Sequence, residues 1–90
     1  MNDIKTVLIT GATGGLGQSI ANEFYKKEFN LILTGTNQAN LKTLSSKFDR
    51  NTKVIKCNLA NSSEIEDLFE KIKPNSIDIL VNNAGITKDN

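Results

Sequence analysis

Glycine residues near the start of the chain have the spacing of a site that holds phosphate groups. The segment TGATGGLG, residues 10–17, follows an apolar run at residues 7–9 and precedes apolar residues with helical spacing at Leu16, Ile20 and Phe24. A glycine turn between a strand and a helix lets the backbone approach a pyrophosphate closely, and the start of the helix offers free N–H groups and partial positive charge. The segment therefore predicts a dinucleotide site.

The glycine spacing itself has two interpretations. Gly11, Gly15 and Gly17 fit G-x-x-x-G-x-G, whereas Gly11, Gly14 and Gly17 fit G-x-x-G-x-x-G. The G-x-G-x-x-G fingerprint fails because residue 13 is a threonine. The glycines alone therefore indicate a nucleotide site without indicating one class of nucleotide-binding protein.

Reactive side chains elsewhere in the chain indicate little chemistry. Cys57 is the one cysteine, so it cannot form an internal disulfide, and the chain has no histidine to activate its thiol. We interpret Cys57 as part of the core, and a lone thiol favours a reducing, cytoplasmic setting. No metal site is predicted.

Composition argues against two classes of partner. The 90 residues carry 11 basic and 10 acidic side chains, a net charge of +1, whereas a nucleic-acid partner normally needs a basic surface. No apolar run approaches the ~18 residues of a membrane span, and no signal peptide is visible. We predict no nucleic-acid partner, no membrane partner, and a soluble cytoplasmic protein of at most one domain.

Short apolar runs alternate with helical spacing along the chain. Strands are predicted at residues 6–10, 31–34, 54–58 and 77–81, and helices at about 15–27, 38–48 and between the last two strands. This alternation predicts the α/β class, a Rossmann-type doubly wound parallel sheet, here partial, with four strands in the order 3-2-1-4 and three helices. With no fourth helix, one edge and part of one face of the fourth strand would be bare. We therefore expect the chain to be part of something larger or to need a partner.

The third helix has two possible starts. Ser63 with Glu66 and Asn61 with Glu64 both have the spacing of a capping box, and Pro74 ends the helix. The apolar residues predicted to pack this helix on the sheet are Ile65, Leu68, Phe69 and Ile72.

A second motif, NNAG at residues 82–85, separates the two glycine spacings. TGATGGLG followed about seventy residues later by NNAG resembles the short-chain dehydrogenase/reductase family, whose members use the G-x-x-x-G-x-G form. The tail GITKDN is similar to the segment after NNAG in bacterial 3-oxoacyl-[acyl-carrier-protein] reductases, a subgroup of that family. The resemblance runs from about Lys5 to Asn90. It implies that residues 1–90 are the N-terminal, dinucleotide-binding portion of a single Rossmann domain, with the catalytic C-terminal portion absent.

The resemblance also implies which residues hold the cofactor. The glycine turn would line the adenosine ribose and the phosphates, the residues after the third strand would hold the adenine, and NNAG would pass the ribose. The implied cofactor-binding residues are Gly11, Ala12, Thr13, Gly14, Gly15, Leu16, Gly17, Thr36, Asn58, Leu59, Asn83, Ala84 and Gly85. Asn58 could instead serve a turn or a cap, residues 83–85 could form a simple turn after the strand, and Asn82 is expected to brace that strand.

The end of the second strand favours NADP (NADPH) over NAD. An NAD enzyme usually has a carboxylate there to bind the ribose 2′-OH, but residues 34–37 read TGTN, with no acid before Asp49. The Thr36 hydroxyl and the Asn37 amide could bond a 2′-phosphate. Gly14 weakens this interpretation, because reductases of the family often have a basic residue there. Lys42 could offset the missing charge or be ordinary solvated surface.

The family's reaction is hydride transfer to a carbonyl, and we assign none of its catalytic residues to this chain. The serine, the Tyr-x-x-x-Lys pair and the relay asparagine of the family belong to later elements. Tyr25, the one tyrosine, lies in the first predicted helix and is followed four residues later by Phe29. The parent implied by the resemblance is a homotetramer that uses NADPH to reduce a β-ketoacyl thioester linked to acyl-carrier protein in fatty-acid elongation.

Two other functions stay open on the sequence. The chain could be a non-catalytic nucleotide-binding module, or half of a split assembly completed by another polypeptide. It could also belong to another short-chain reductase with a different carbonyl substrate, such as a steroid, sugar or quinone, although the GITKDN tail argues mildly against this.

Overall fold

The predicted alternation of strands and helices is confirmed by the computed structural model, which describes residues 4–72 and 77–84. In chain order the elements are β1 (Thr6–Thr10), α1 (Gly15–Lys26), β2 (Asn30–Gly35), α2 (Gln38–Lys47), β3 (Thr52–Lys56), α3 (Ser62–Ile72) and β4 (Ile79–Asn82). All pairs of neighbouring strands are parallel, and their order is β3-β2-β1-β4. The described part of the chain is thus the expected partial Rossmann-type sheet.

The central strands β1 and β2 are continuous apolar runs because helices cover both of their faces. Successive side chains alternate between the faces and form two clusters. The cluster under α1 and α2 contains Val7, Ile9, Ala12, Ala21, Leu31, Leu33, Leu41, Leu44 and Phe48. The cluster under α3 contains Leu8, Ile32, Ile55, Cys57, Leu68 and Ile72. Because the strands are all parallel, their carboxyl ends lie together at one end of the sheet.

The start of α3 shows which of the two predicted caps is used. The Asn61 side-chain oxygen accepts a hydrogen bond from the Glu64 N–H at 3.2 Å, and the helix begins at Ser62. Glu64 does not complete a reciprocal capping box with Asn61; its carboxylate accepts from the Asn58 N–H at 2.8 Å. The cap therefore also holds the chain just after β3.

Two sequence predictions about β3 and α3 need correction. The third strand begins at Thr52 rather than residue 54 and ends at Lys56 rather than residue 58. Its start was missed because Thr52 and Lys53 are polar, which an edge strand of the described sheet tolerates. Phe69 was predicted to pack on the sheet but is 60% exposed, since it lies about 100° around the helix from the buried Leu68.

The face of β4 carries an exposed apolar side chain. Leu80 lies in register with Leu8 of β1, on the side of the sheet that α3 covers, yet it is 61% exposed. Among the described residues β4 pairs with β1 alone. Its other side is therefore an unpaired edge of the described sheet, as the order of the elements predicted. Within residues 4–72 and 77–84, no helix is long and apolar enough to cross a membrane.

Candidate functional site

The glycine turn packs against the end of β4. Gly11 has φ +62, and a Cβ atom there would lie 3.0 Å from both the backbone N and the Cα of Ala84. The Asn83 side-chain amide is buried and donates to the Gly11 carbonyl at 2.9 Å. Both the positive φ and the close approach require a residue without a side chain at position 11. The two motifs that carry the family resemblance therefore meet at one place.

Thr10 connects the ends of the same two strands. Its hydroxyl donates to the Asn82 side-chain oxygen at 3.0 Å and accepts from the Ala84 N–H at 3.1 Å. Asn82 therefore braces the strand, as expected from the sequence. Thr10 is the last residue of β1, and Asn82 is the last residue of β4. These bonds therefore hold the ends of the two strands together.

We expect Thr10→Val to lower the free energy of unfolding by about 1–3 kcal/mol, because the Ala84 N–H and the Asn82 oxygen lose this partner. Urea denaturation of the two proteins measures the difference. Thr43→Val is the matched control, since the exposed Thr43 hydroxyl donates to the Ala39 carbonyl of its own helix, and we expect it to change stability by less than about 0.5 kcal/mol. Equal losses in the two variants would contradict the role given to Thr10.

The start of α1 is open to an anion. Gly14 is its N-cap residue and makes no side-chain cap. A Cβ at Gly14 would have one neighbour, the Gly11 carbonyl oxygen at 4.0 Å, and a Cβ at Gly15 would have nothing within 4 Å. Backbone N–H groups at an uncapped helix start, with the positive end of the helix dipole, can bind a phosphate.

Gly17 allows α1 to lie close to the turn that precedes it. A Cβ at this position would collide with the Gly11 carbonyl oxygen and lie 2.8 Å from the Ala12 Cα. Ala12 is fully buried, and its N–H donates to the Thr34 carbonyl at 2.9 Å. Gly17 and Ala12 thus pack against each other on the buried side of the turn. Leu16, beside them, is 53% exposed.

A cavity of about 270 Å³ opens at the carboxyl ends of β1, β2 and β3. It adjoins the glycine turn, which is where a nucleotide binds in an open α/β sheet. Its lining residues are Gly11, Thr13, Thr34, Gly35, Thr36, Cys57, Asn58, Leu59, Ala60 and Ala84. The sequence had indicated Gly11, Thr13, Thr36, Asn58, Leu59 and Ala84 as cofactor-binding residues, and the structure places them together around this cavity.

Other predicted site residues lie elsewhere. Gly14, Gly15, Leu16 and Gly17 are at the start of α1, and the buried Asn83 lies behind the turn. Gly85 lies outside the described residues. Four lining residues were not among the predicted cofactor-binding residues, although each lies within two positions of one of them in the sequence: Thr34, Gly35, Cys57 and Ala60.

Asn58 has the turn role that the sequence left open. Its side-chain oxygen accepts from the Ala60 N–H at 2.9 Å, forming a local turn. One lone pair of this oxygen is therefore used by the turn, which leaves the NH₂ group and the second lone pair for a nucleotide base. Asn37 is similar, because its side-chain oxygen caps α2 through the Asn40 N–H at 2.9 Å.

The lining of the cavity contains no carboxylate and no basic side chain. Gly35 occupies the end of β2, and a Cβ there would lie 2.9 Å from the Thr13 methyl carbon. Thr36 follows, and Lys42 is exposed on α2 outside the lining. The Thr13 hydroxyl lies 3.5 Å from the same Cβ position at Gly35, the Thr36 side chain also lines the cavity, and no lining residue carries a negative charge that would repel a phosphate.

Cys57 and Tyr25 both have structural contacts. Burial, followed by the nearby carboxylates of Glu64 and Asp67, raises the pKa of the Cys57 thiol, so the thiol is neutral at pH 7 and a poor nucleophile. Tyr25 lies near the end of α1 farthest from the turn, and its hydroxyl donates to Asp49 at 2.7 Å. Within residues 4–72 and 77–84, no group of three or more His, Cys, Asp or Glu residues could hold a metal ion.

Comparison with known proteins agrees with this arrangement. The 3-oxoacyl-[acyl-carrier-protein] reductase of Rickettsia bellii is 44% identical over 85 residues, which cover 94% of this chain and 34% of the reductase. The chain therefore spans about a third of the length of this relative.

Solved structures share the fold. A short-chain dehydrogenase from Sphingobium yanoikuyae in complex with NADPH matches with a TM-score of 0.82 at 26% identity, over 97% of this chain and 36% of that one. A 3-ketoacyl-(acyl-carrier-protein) reductase from Brucella melitensis complexed with NADH has a TM-score of 0.78 at 20% identity, over 84% and 32%, and shows the fold alone. The family model of the short chain dehydrogenases matches residues 5–90. This chain belongs to the short-chain dehydrogenase family.

Proposed function

We propose that this chain binds NADP(H) and is the nucleotide-binding portion of a reductase acting on 3-oxoacyl groups carried by acyl-carrier protein. The observation that carries the proposal is the cavity at the end of β2. It adjoins an uncapped helix start, and no carboxylate lines it. A dinucleotide with a 2′-phosphate fits such a site better than one with a free 2′-OH.

Each part of the nucleotide has residues suited to it. The pyrophosphate would lie over the glycine turn, where Gly14 and Gly15 leave open space and α1 offers N–H groups. The adenosine would occupy the cavity between Gly35 and Leu59, and the Thr36 hydroxyl would donate to the 2′-phosphate. When bound, NADPH supplies the hydride for reduction of a carbonyl; the residues named here hold and orient it.

The substrate class comes from the relatives. The match to the Rickettsia reductase covers nearly all of this chain, and the tail GITKDN resembles the same subgroup. For the whole protein we propose an acyl-carrier-protein-linked β-ketoacyl substrate, a homotetramer and a cytoplasmic location. The catalytic serine, tyrosine and lysine would come from a part of the protein beyond these 90 residues, so no turnover is expected from this chain alone.

Fluorescence titration of the purified chain with NADPH and NADH tests the cofactor proposal. We expect saturable binding of both, at least about tenfold tighter for NADPH, a difference of about 1.4 kcal/mol. Competition by 2′,5′-ADP but not by 5′-AMP would locate the preference at the 2′-phosphate. Equal affinities would contradict the assignment to NADP.

Incubation with NADPH and an acetoacetyl thioester tests the proposal that the catalytic residues lie in another part of the protein. We expect no NADPH oxidation by the chain itself. Turnover that persists after removal of host reductases would contradict the assignment of the catalytic residues to another part of the protein. NADPH binding without a Tyr-x-x-x-Lys segment in the adjoining reading frame or a neighbouring one would favour a nucleotide-binding module instead.

A further inference from the structure

Gln18 holds two consecutive carbonyl groups of the glycine turn. Its side-chain Nε2 donates to the Thr13 carbonyl at 2.9 Å, and its backbone N–H donates to the Gly14 carbonyl at 2.9 Å. The backbone bond is the ordinary first bond of an α-helix. The side-chain bond needs a residue that can donate, and it ties α1 to the turn at the end where Gly14 makes no side-chain cap.

The side-chain bond fixes the orientation of the Thr13–Gly14 peptide. In a planar trans peptide the C=O of one residue and the N–H of the next point in opposite directions. A Thr13 carbonyl held toward Gln18 therefore directs the Gly14 N–H away from Gln18. The N–H groups at this end of α1 are the ones that would meet the phosphates of a bound nucleotide.

Lys47 of α2 favours the same orientation of the Gln18 amide that the Thr13 carbonyl requires. Its ammonium donates to Gln18 Oε1 at 3.3 Å. An ammonium only donates and Oε1 only accepts, so Lys47 on the oxygen side leaves the NH₂ group for the Thr13 carbonyl. The Gln18 side chain therefore contacts both the glycine turn and Lys47 of α2.

We propose that Gln18 is a positioning residue for nucleotide binding, with its amide oriented by the Thr13 carbonyl and supported by Lys47. The inference rests on the proposed function, and it adds a residue outside the lining of the cavity. Gln18 fixes the orientation of the Thr13–Gly14 peptide in the nucleotide-free protein. This peptide then does not have to be ordered when the nucleotide binds. Removing the side-chain donor should loosen this peptide and weaken nucleotide affinity while the fold is kept.

Gln18→Met tests the proposal, since methionine has a similar size, no charge, no donor and good helix propensity. The NMR order parameter of the Gly14 N–H, measured without nucleotide, should fall from the rigid range of about 0.85 to below about 0.6. The dissociation constant for NADPH should rise about fivefold, as expected for the loss of one hydrogen bond. The thermal midpoint should stay close to that of the wild type.

Gln18→Lys in a Lys47→Met background restores a donor without bringing two ammonium groups together, so it should return the Gly14 order parameter to the wild-type value. Asn22→Ala is the matched control, because Asn22 is an exposed amide one turn further along α1, and it should change neither quantity. An unchanged Gly14 order parameter in Gln18→Met, or unchanged NADPH affinity, would overturn the proposal. If the wild type binds no NADPH but Gly14 still loses order in Gln18→Met, the proposed function fails while the control of the turn by Gln18 stands.

Discussion

Gly17→Val should abolish the packing of α1 on the glycine turn and, with it, nucleotide binding. The new Cβ would meet the Gly11 carbonyl oxygen and the Ala12 Cα, the latter at 2.8 Å. Both are backbone atoms within the turn, so no rotamer change relieves the collision. Overpacking costs about 1–3 kcal/mol where side chains can adjust, and we expect at least about 3 kcal/mol here. This is a large fraction of the stability of a domain of this size.

Gly15→Ala is the matched control for this prediction. It lies two residues away in the same helix turn, but a Cβ there has nothing within 4 Å. Replacing this helical glycine should stabilise the protein by about 0.4–1 kcal/mol. Urea denaturation monitored by circular dichroism separates the two variants, and NADPH titration of the Gly17→Val protein that remains folded measures its loss of binding. A Gly17→Val protein as stable as the wild type would contradict the close packing described for α1.

Gly35→Asp should remove most of the affinity for NADPH. A carboxylate at the end of β2 would lie where the 2′-phosphate is proposed to bind, and two like charges about 4 Å apart repel by about 4 kcal/mol at an effective dielectric constant of 20. We expect the dissociation constant for NADPH to rise at least about 100-fold, which corresponds to about 2.7 kcal/mol. Fluorescence titration measures it.

The same substitution should not by itself create an NAD site. A Cβ at Gly35 would lie 2.9 Å from the Thr13 methyl carbon, so the Thr13 side chain has to shift before the aspartate is accommodated. Thr13→Ser removes that methyl and keeps the hydroxyl, and we expect the double variant to gain NADH affinity that Gly35→Asp lacks. Gly35→Ala, which adds the Cβ without the charge, should keep most of the affinity for NADPH. Unchanged NADPH binding by Gly35→Asp would show that the 2′-phosphate lies elsewhere.

The fold could be predicted from the sequence because the apolar runs and the helical stripes differ in period and alternate without exception. The strand order 3-2-1-4 is confirmed on that basis. Boundaries were less accurate where residues are polar, as at Thr52 and Lys53, because an edge strand does not need an apolar sequence. The exposure of Phe69 was also missed. The spacing of apolar residues predicts which face of a helix packs on the sheet, but not how wide the buried part of that face is.

The candidate site was predictable in its location but not in its hydrogen bonds. The glycine turn and Asn58 could be recognised by type and spacing. The sequence could not decide whether the Asn58 oxygen serves a base or the Ala60 N–H. The support of the turn by Gln18 could not be predicted either, because a glutamine near the start of a helix is ordinary surface until its partner, the Thr13 carbonyl, is known. The cofactor assignments themselves stay predictions until binding is measured.

The bonds from Asn83 and Ala84 to the glycine turn join residues 72 and 74 positions apart in the chain. During synthesis the turn leaves the ribosome well before the residues that close it, and forming such distant contacts is slow compared with local helix formation. A nascent chain lacking β4 would contain the whole glycine motif without its final geometry. We therefore expect nucleotide binding to begin only after β4 has docked on β1. A bound nucleotide would then stabilise the docked state.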